Sequence, residues 1–348
     1  MLRTCSRRVI SRLFSISQSA ALAEETPPHV PVMVDLVAEH LQLSEGKTIV
    51  DMTFGAGGHT KKMFEVCPEV KVIALDRDPV AFEYAQNLAA DHPLNLTPLL
   101  GKFSELPILL NGLDISPGSL DGMLLDLGCS SMQMNHGHRG FSISREGPLD
   151  MRMDSSPKNP DPTVAEVLAH IEEDELAKTL KIYGEERQAK KIARAVVEAR
   201  YAGIYMRTTK ELSELVAEVC GIDHRQDKLQ RHAHSATKVF QALRILVNNE
   251  LNEINYAMLL ASRYLKKGGR LLVLTFHSLE DKIVKRHLFG HVSGFAANVE
   301  APKYSLDMQE PNTCWHQLHK HVIIPSDDEV YENPRSRSAK LRVAEKVK

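Results

Sequence analysis

The chain has no Cys-x-x-Cys pair. Its five cysteines (Cys5, Cys67, Cys129, Cys220, Cys314) are scattered, which argues against a disulfide frame or zinc ribbon and for a reducing compartment. No apolar run is long enough to span a bilayer. Excess charge is also missing: a formal net charge of -2 leaves nucleic-acid binding to a local patch rather than to the whole molecule. Acids are absent before Glu24, where Arg3, Arg7, Arg8 and Arg12 mix with serines and single apolar residues. A secretory signal needs a continuous apolar block, and none is there. Arg-rich, Ser-rich and acid-poor composition predicts a mitochondrial transit peptide over residues 1–23. At 348 residues, 43% hydrophobic and 25% charged, the chain has a soluble globular composition and length for one large domain or two ordinary ones.

What is present centres on Thr48–Thr60. The apolar Ile49-Val50 ends in Asp51, breaks into a turn with Gly55, Gly57 and Gly58, and leads into helix-forming Lys61–Val66. Strand, glycine turn and helix start let a backbone approach a nucleotide-like ligand. A dinucleotide site would want a third spaced glycine where Thr60 stands, and Asp51 would repel a pyrophosphate. Val70–Leu75 reads as a second strand ending in Asp76, near the usual spacing for an acid that holds ribose hydroxyls. S-adenosylmethionine fits both facts, having a ribose, an amino-acid moiety and a sulfonium but no phosphate.

Further on, a helix is expected over Pro79–Ala90, a third strand over Leu94–Leu100 and a fourth over Leu120–Leu127. Strands alternating with helices predict a parallel, doubly wound sheet with ligands at the carboxyl strand ends. Gly55–His59, Asp76, Phe103 and Asp126 fall at such ends. From about Arg139 the alternation stops, and a helical stretch follows the Pro-rich link Ser155–Pro162. Thr163/Glu166 and Thr208/Glu211 read as capping boxes. Ile192, Ala195, Val196 and Ala199 form an apolar stripe opposite Lys190, Lys191, Arg194 and Arg200. One long helix is expected over Ala236–Leu265, then a fifth strand over Leu271–Phe276 ending at His277. The segment His224–Arg244 is locally basic, with Arg225, Lys228, Arg231, Lys238 and Arg244. Beside a base-modifying crevice this points to RNA. Cys314, His316, His319 and His321 match no standard zinc spacing, and Gln317–Ile324 reads as an alternating strand, so no metal is assigned. Asn333–Arg342 is a second basic patch, leading into a last strand.

These stretches together resemble the MraW/RsmH family of S-adenosylmethionine-dependent methyltransferases, which act on the N4 amine of a cytidine in small-subunit ribosomal RNA. The resemblance rests on His29–Val32, Asp51–His59, Ala74–Pro79, Asp126–Ser131, Arg139–Ser142, Gly147–Asp154, Gly184–Arg187, Phe240–Glu250, Phe276–Asp281 and Asn333–Arg342. It implies an α/β fold, a Rossmann-like (class I) methyltransferase sheet with an inserted α-helical domain. The implied division is 24–145 for the first part of the methyltransferase domain, 146–245 for a helical insertion that recognises RNA, and 246–348 for the second part. Cofactor contacts carry over to Gly57, Gly58, His59, Asp76, Phe103, Asp126 and Gln133. Met132-Gln133-Met134-Asn135 departs from the common Pro-Gln-Leu-Asp, and Cys129 stands where the family often has valine.

With the presequence, the resemblance implies a mitochondrial-matrix enzyme acting on small-subunit rRNA within an assembling mitoribosomal subunit, with no membrane partner. Asp126 or Ser130 is expected to accept hydrogen bonds from the cytidine amine, with His277 or Ser278 lining the same pocket and Phe141 a candidate stacking residue. The target base must be single-stranded or flipped. Two rivals remain: an assembly factor that keeps the fold without catalysis, and a methyltransferase for protein or small molecules.

Overall fold

The computed structural model describes residues 31–221, 234–289 and 314–348. The transit-peptide reading over 1–23 lies outside them, as do His29, Val30 and residues 224–233 of the basic segment. Among the described residues seven strands form one sheet: β1 (Thr48–Asp51), β2 (Lys71–Asp76), β3 (Leu96–Leu100), β4 (Leu120–Asp126), β5 (Leu265–Thr275), β6 (Trp315–Gln317) and β7 (Lys340–Lys346). Their order is β3-β2-β1-β4-β5-β7-β6. The first five pair in parallel; β7 runs antiparallel to both β5 and β6. Leu120, Met123, Leu124 and Leu125 of β4 are fully buried. Helices cover both faces of this central strand, which is why it reads as an apolar run and not as an alternation.

Helices α1 (Val34–Leu41), α2 (Gly58–Val66), α3 (Pro79–Asp91), α4 (Leu106–Asn111) and α5 (Ser131–Asn135) belong to the first half of the sheet. Between β4 and β5 lie α6 (Val164–His170), α7 (Glu173–Tyr183), α8 (Ala189–Tyr201), α9 (Thr209–Cys220), α10 (Thr237–Asn248) and α11 (Glu250–Tyr264). Both expected capping boxes are present, Thr163 with Glu166 and Thr208 with Glu211. Each contributes about 1 kcal/mol, against about 1.5–3 kcal/mol for each large apolar side chain buried. The caps therefore set where α6 and α9 begin, and packing keeps them. A separate apolar cluster runs from Phe141 to Val247, gathering Leu149, Ile192, Leu212 and Leu243. Its entrance loop brings backbones into contact: a Cβ on Gly147 would stand 1.8 Å from the Gly137 carbonyl oxygen. Only glycine fits there. The chain finishes with α12 (Ser278–Phe289), β6, α13 (Asp327–Glu332) and β7.

Three expectations need correction. The helix expected over Ala236–Leu265 is two helices, broken at Asn249, whose φ is 52°. Helical periodicity continues through the break. What imposes the turn is distant: Asn248 Nδ2 donates to the Met151 carbonyl at 2.7 Å and Asn248 Oδ1 accepts from Met153 N at 2.7 Å. Asparagine tolerates the left-handed conformation better than most residues. Strand β5 starts at Leu265, before Gly268-Gly269, because its pairing with β4 shifts register between Leu120 and Gly122. Gln317–Ile324 is not a strand. Only Trp315–Gln317 pairs with β7, and Ile323 returns as a single bridge to Leu341. Leu318 and Ile323 pack on the core while Lys320 and His321 stay outside, so the stretch bows away between them.

Candidate active site

The turn after β1 is tied to its neighbours through the backbone. Phe54 N donates to the Leu75 carbonyl at 3.1 Å, and Gly55 N to Asp76 Oδ2 at 2.8 Å. Gly57, at φ 80°, caps α2; a Cβ there would lie 2.6 Å from the Phe54 ring. Thr53 Oγ1 accepts from Asp126 N at 2.6 Å, joining the ends of β1 and β4. At the end of β3, Gly101 N donates to the Asp76 carbonyl at 2.9 Å. Phe103 follows, packed against the sheet core, and Ser104 hydrogen-bonds Glu253 through both N and Oγ at 2.9 Å. Four strand ends thus meet at one edge of the sheet.

Its chemistry is acidic. Asp76 holds one backbone N–H on each oxygen, Gly55 on Oδ2 and Asp78 on Oδ1, which leaves lone pairs for further donors. Burial pushes its carboxyl up to about 6, with the two backbone bonds opposing. His59 is 6% exposed, with Nε2 3.5 Å from Asp126 Oδ2, close enough for ion pairing but outside hydrogen-bond alignment. Burial alone lowers an imidazole; Asp126, and then Asp51, reverse this and raise His59 above the ordinary histidine value. Asp126 Oδ1 is buried without a hydrogen-bond partner. Asp51 does not face a ligand as its place before the turn suggested. It is buried, and its oxygens take Thr60 Oγ1 at 2.8 Å and Thr53 N at 3.2 Å, so it fastens α2 to β1.

Ser130 is the N-cap of α5, accepting from Gln133 N at 3.2 Å, while Gln133 Oε1 accepts from Ser130 N at 3.0 Å. Gln133 is buried and its Nε2 donates to Asp78 Oδ2 at 3.0 Å. Asn135, where the family's carboxylate is missing, accepts from Arg335 Nη2 at 2.8 Å, and Arg335 also donates to Ser131 Oγ. This docks the C-terminal basic patch onto α5. His277 closes β5 with Nε2 3.0 Å from Glu280 Oε1. Glu280 is fully buried, yet His277 and Arg244 outweigh burial and hold it below the usual carboxylate value. Arg244 donates to both oxygens of Glu250 at 2.8 and 2.9 Å and to Cys129 Sγ at 3.3 Å, joining the loop after β4 to the α10–α11 turn.

Glu250, His277 and Glu280 bring ligand atoms within 4.8 Å of one another. Arg244 already occupies both Glu250 oxygens, so the cluster reads as a carboxylate–guanidinium–imidazole chain and not as a cation site. Of the five basic residues named in His224–Arg244, the structure describes only Lys238, which is exposed, and Arg244. Arg244 faces inward, and Lys238 Nζ donates to the Glu185 carbonyl at 3.0 Å. Phe141 is also a core residue, buried among Leu149, Met151 and Phe240, and is not free to stack on a base. Sequence reasoning missed Asp78, Arg139 and Arg244 as individual residues. The signal for Asp78 was present: an acid directly before a proline is a helix N-cap signature.

These residues suit S-adenosylmethionine. Carboxylates at Asp76 and Asp126 would favour a cationic sulfonium, a carboxylate with unfilled lone pairs closes β2, the position from which doubly wound folds hold a ribose, and a pyrophosphate would be repelled. Sheet order with a reversed β7 and this chemistry define the class: a Rossmann-like, class I methyltransferase that uses S-adenosylmethionine. Within that class the placement is specific. The chain belongs to the MraW methylase family, whose family model matches residues 26–347. It is 54% identical to a methyltransferase-like protein 15 homolog of Drosophila melanogaster, over 92% of this chain and 93% of that one. It is 45% identical to the 12S rRNA N(4)-cytidine methyltransferase METTL15 of Bos taurus, over 92% of this chain and 83% of that one. A Culex quinquefasciatus protein bearing the name of a receptor-type tyrosine-protein phosphatase is 54% identical over 94% of this chain, which spans only 23% of that protein's length.

Proposed function

We propose that the protein methylates the N4 amine of a cytidine in mitochondrial small-subunit rRNA. Its membership of the MraW family and its likeness to 12S rRNA N(4)-cytidine methyltransferases support the reaction. The observation that carries the site assignment is the buried, unpartnered Asp126 Oδ1 at the end of β4. When bound, S-adenosylmethionine supplies an electrophilic methyl group. A cytidine amine is a weak nucleophile because its lone pair is delocalised into the ring. Asp126, accepting an N–H of that amine, localises the lone pair and holds the nitrogen in place. Transfer of that methyl would leave the nitrogen with a proton to shed, and the Asp126 carboxylate already hydrogen-bonded to the amine is placed to accept it. No strong base is required beforehand. His59 balances the charge of Asp126, and His277 and Ser130 are proposed to line the same pocket.

The division into 24–145 and 246–348 for methyl transfer, with 146–245 as the RNA-recognising insertion, is part of this reading. Supporting it, Lys190, Lys191 and Arg194 stand exposed on α8, and Tyr201, 81% exposed, follows at its end with Ile204 and Tyr205. Cations release counterions from phosphates, and exposed rings stack on unpaired bases. Changing Lys190, Lys191 and Arg194 together to glutamate is expected to weaken RNA binding tenfold or more near 0.1 M salt. The log–log salt slope should fall by about 2. Fluorescence anisotropy across a salt series checks this, with cofactor affinity unchanged as the control.

The 12S rRNA substrate of the relatives supports a mitochondrial location; the matrix, and an assembling mitoribosomal subunit as the natural substrate, complete the proposal. Purified protein lacking residues 1–23, labelled S-adenosylmethionine and small-subunit RNA test it, with nucleosides read by mass spectrometry. N4-methylcytidine is expected. Cofactor binding without label on naked RNA or assembly intermediates would favour a non-catalytic assembly factor. Label on protein or metabolites alone would move the substrate elsewhere.

A further inference from the structure

The residues that end β2 and begin α3 hold more than the crevice acid. Asp78 is 1% exposed and caps α3 by accepting from Val80 N at 3.1 Å. Its Oδ2 also takes Arg139 Nη1 at 2.7 Å and Gln133 Nε2 at 3.0 Å, and its Oδ1 takes Ser155 Oγ at 3.2 Å. Its own N–H donates to Asp76 Oδ1 at 2.9 Å. Arg139 is 7% exposed, and its second terminal nitrogen donates to the carbonyls of Arg152 and Met153 at 3.1 and 2.8 Å. A guanidinium engaged in this way has no open face for a phosphate. Arg77, between the two acids, donates from Nη1 to the Asn248 carbonyl at 2.9 Å. Asn248 in turn bonds Met151 and Met153.

The loop from Arg139 to Ser155, which enters the helical region, and Asn248, at the end of α10, are thus both pinned to Asp76-Arg77-Asp78. One side of that tripeptide orients the crevice acid. The other side holds the helical region. A displacement of the Arg139 loop would pull Asp78 and shift the N–H that fixes Asp76 Oδ1.

We propose that Asp78 and Arg139 are a positioning pair for methyl transfer: seating of the Arg139–Ser155 loop holds Asp76 in its binding orientation and thereby sets cofactor affinity. This rests on the reading of the crevice as the S-adenosylmethionine site. A purely structural pair would lower the melting temperature and the active fraction, but not the affinity of the molecules that fold.

The test uses the wild type, Arg139→Lys, Arg139→Met and Ser155→Ala. Each is measured for S-adenosylhomocysteine Kd by calorimetry, for kcat and both KM values on RNA, and for Tm. Arg139→Met is expected to raise the Kd and the cofactor KM about tenfold, with kcat and the RNA KM changed less than threefold. Arg139→Lys keeps a cation against Asp78 and should recover most of the affinity. Ser155→Ala removes a surface donor to the same carboxylate and should raise Kd two- to threefold; it answers the question even where Arg139→Met does not fold. Wild-type affinity in a folded Arg139→Met or, failing that variant, in Ser155→Ala overturns the proposal. Absence of S-adenosylhomocysteine binding by the wild type would overturn the crevice assignment itself, a separate and distinguishable failure.

Discussion

Asp126→Asn is expected to lower methyl transfer to RNA by about 10²–10³-fold, the usual cost of removing one preorganised polar contact to a reacting group. The replacement is isosteric, so the Thr53 bond to the backbone of residue 126 survives. What changes is the charge on a buried oxygen that has no partner of its own. Single-turnover transfer of labelled methyl measures the effect, and calorimetry with S-adenosylmethionine itself, whose sulfonium charge the demethylated product lacks, separates two roles. Cofactor Kd within threefold of wild type assigns Asp126 to the amine. A Kd rising in step with the lost rate would mean that it positions cofactor only. The variant should also alter the pH dependence of stability. The raised pKa of His59 contributes stability that is fully present below the unfolded histidine value and is lost as pH rises through the folded one. Without the Asp126 charge that contribution shrinks. The Tm difference between wild type and variant is therefore largest at low pH and narrows as pH rises past the folded pKa of His59.

Asp76→Ala is expected to weaken cofactor binding by about 10²–10³-fold, since two charge-assisted hydrogen bonds to ribose hydroxyls contribute about 1.5–3 kcal/mol each and are not fully additive. The variant also leaves Gly55 N and Asp78 N without their acceptor. Wild-type affinity carries a pH signature of the same group. Burial raises its carboxyl to about 6, and only the ionised form accepts from two hydroxyls. Cofactor affinity should be flat above about pH 7 and fall toward tenfold per unit below 6. For the free protein the sign is opposite. Protonation favours the folded chain, so this group's contribution to stability declines as pH rises from 3.8 to about 6. Calorimetry from pH 5 to 8 checks the binding side. A profile that stays flat through pH 6, or one that persists in Asp76→Ala, would remove Asp76 from the cofactor site.

Local physics made much of this protein legible from its sequence alone. The glycine turn after β1, the apolar run of β4 and the boxes at Thr163 and Thr208 depend on residues within a few positions of one another. So does the alternation of strand and helix that makes the sheet parallel. The acids at the strand ends, Asp76 and Asp126, were readable because a parallel sheet directs the carboxyl ends of its strands to one side. Tertiary structure decided everything that depends on a distant partner. Helical periodicity passes straight through Asn249, and the break is imposed by Asn248 bonding Met151 and Met153. Arg244 counts as a basic residue in any window, yet Glu250 and the buried Glu280 turn it inward. Phe141 follows Arg139 in a loop whose core-forming partners lie on distant helices. Asp78 and Arg139 are far apart in the chain, and nothing local announces that they meet. Short-range patterns specify elements and their order; a buried carboxylate or guanidinium takes its role from whichever long-range groups satisfy it, because the low-dielectric interior makes an unpaired charge too costly to leave.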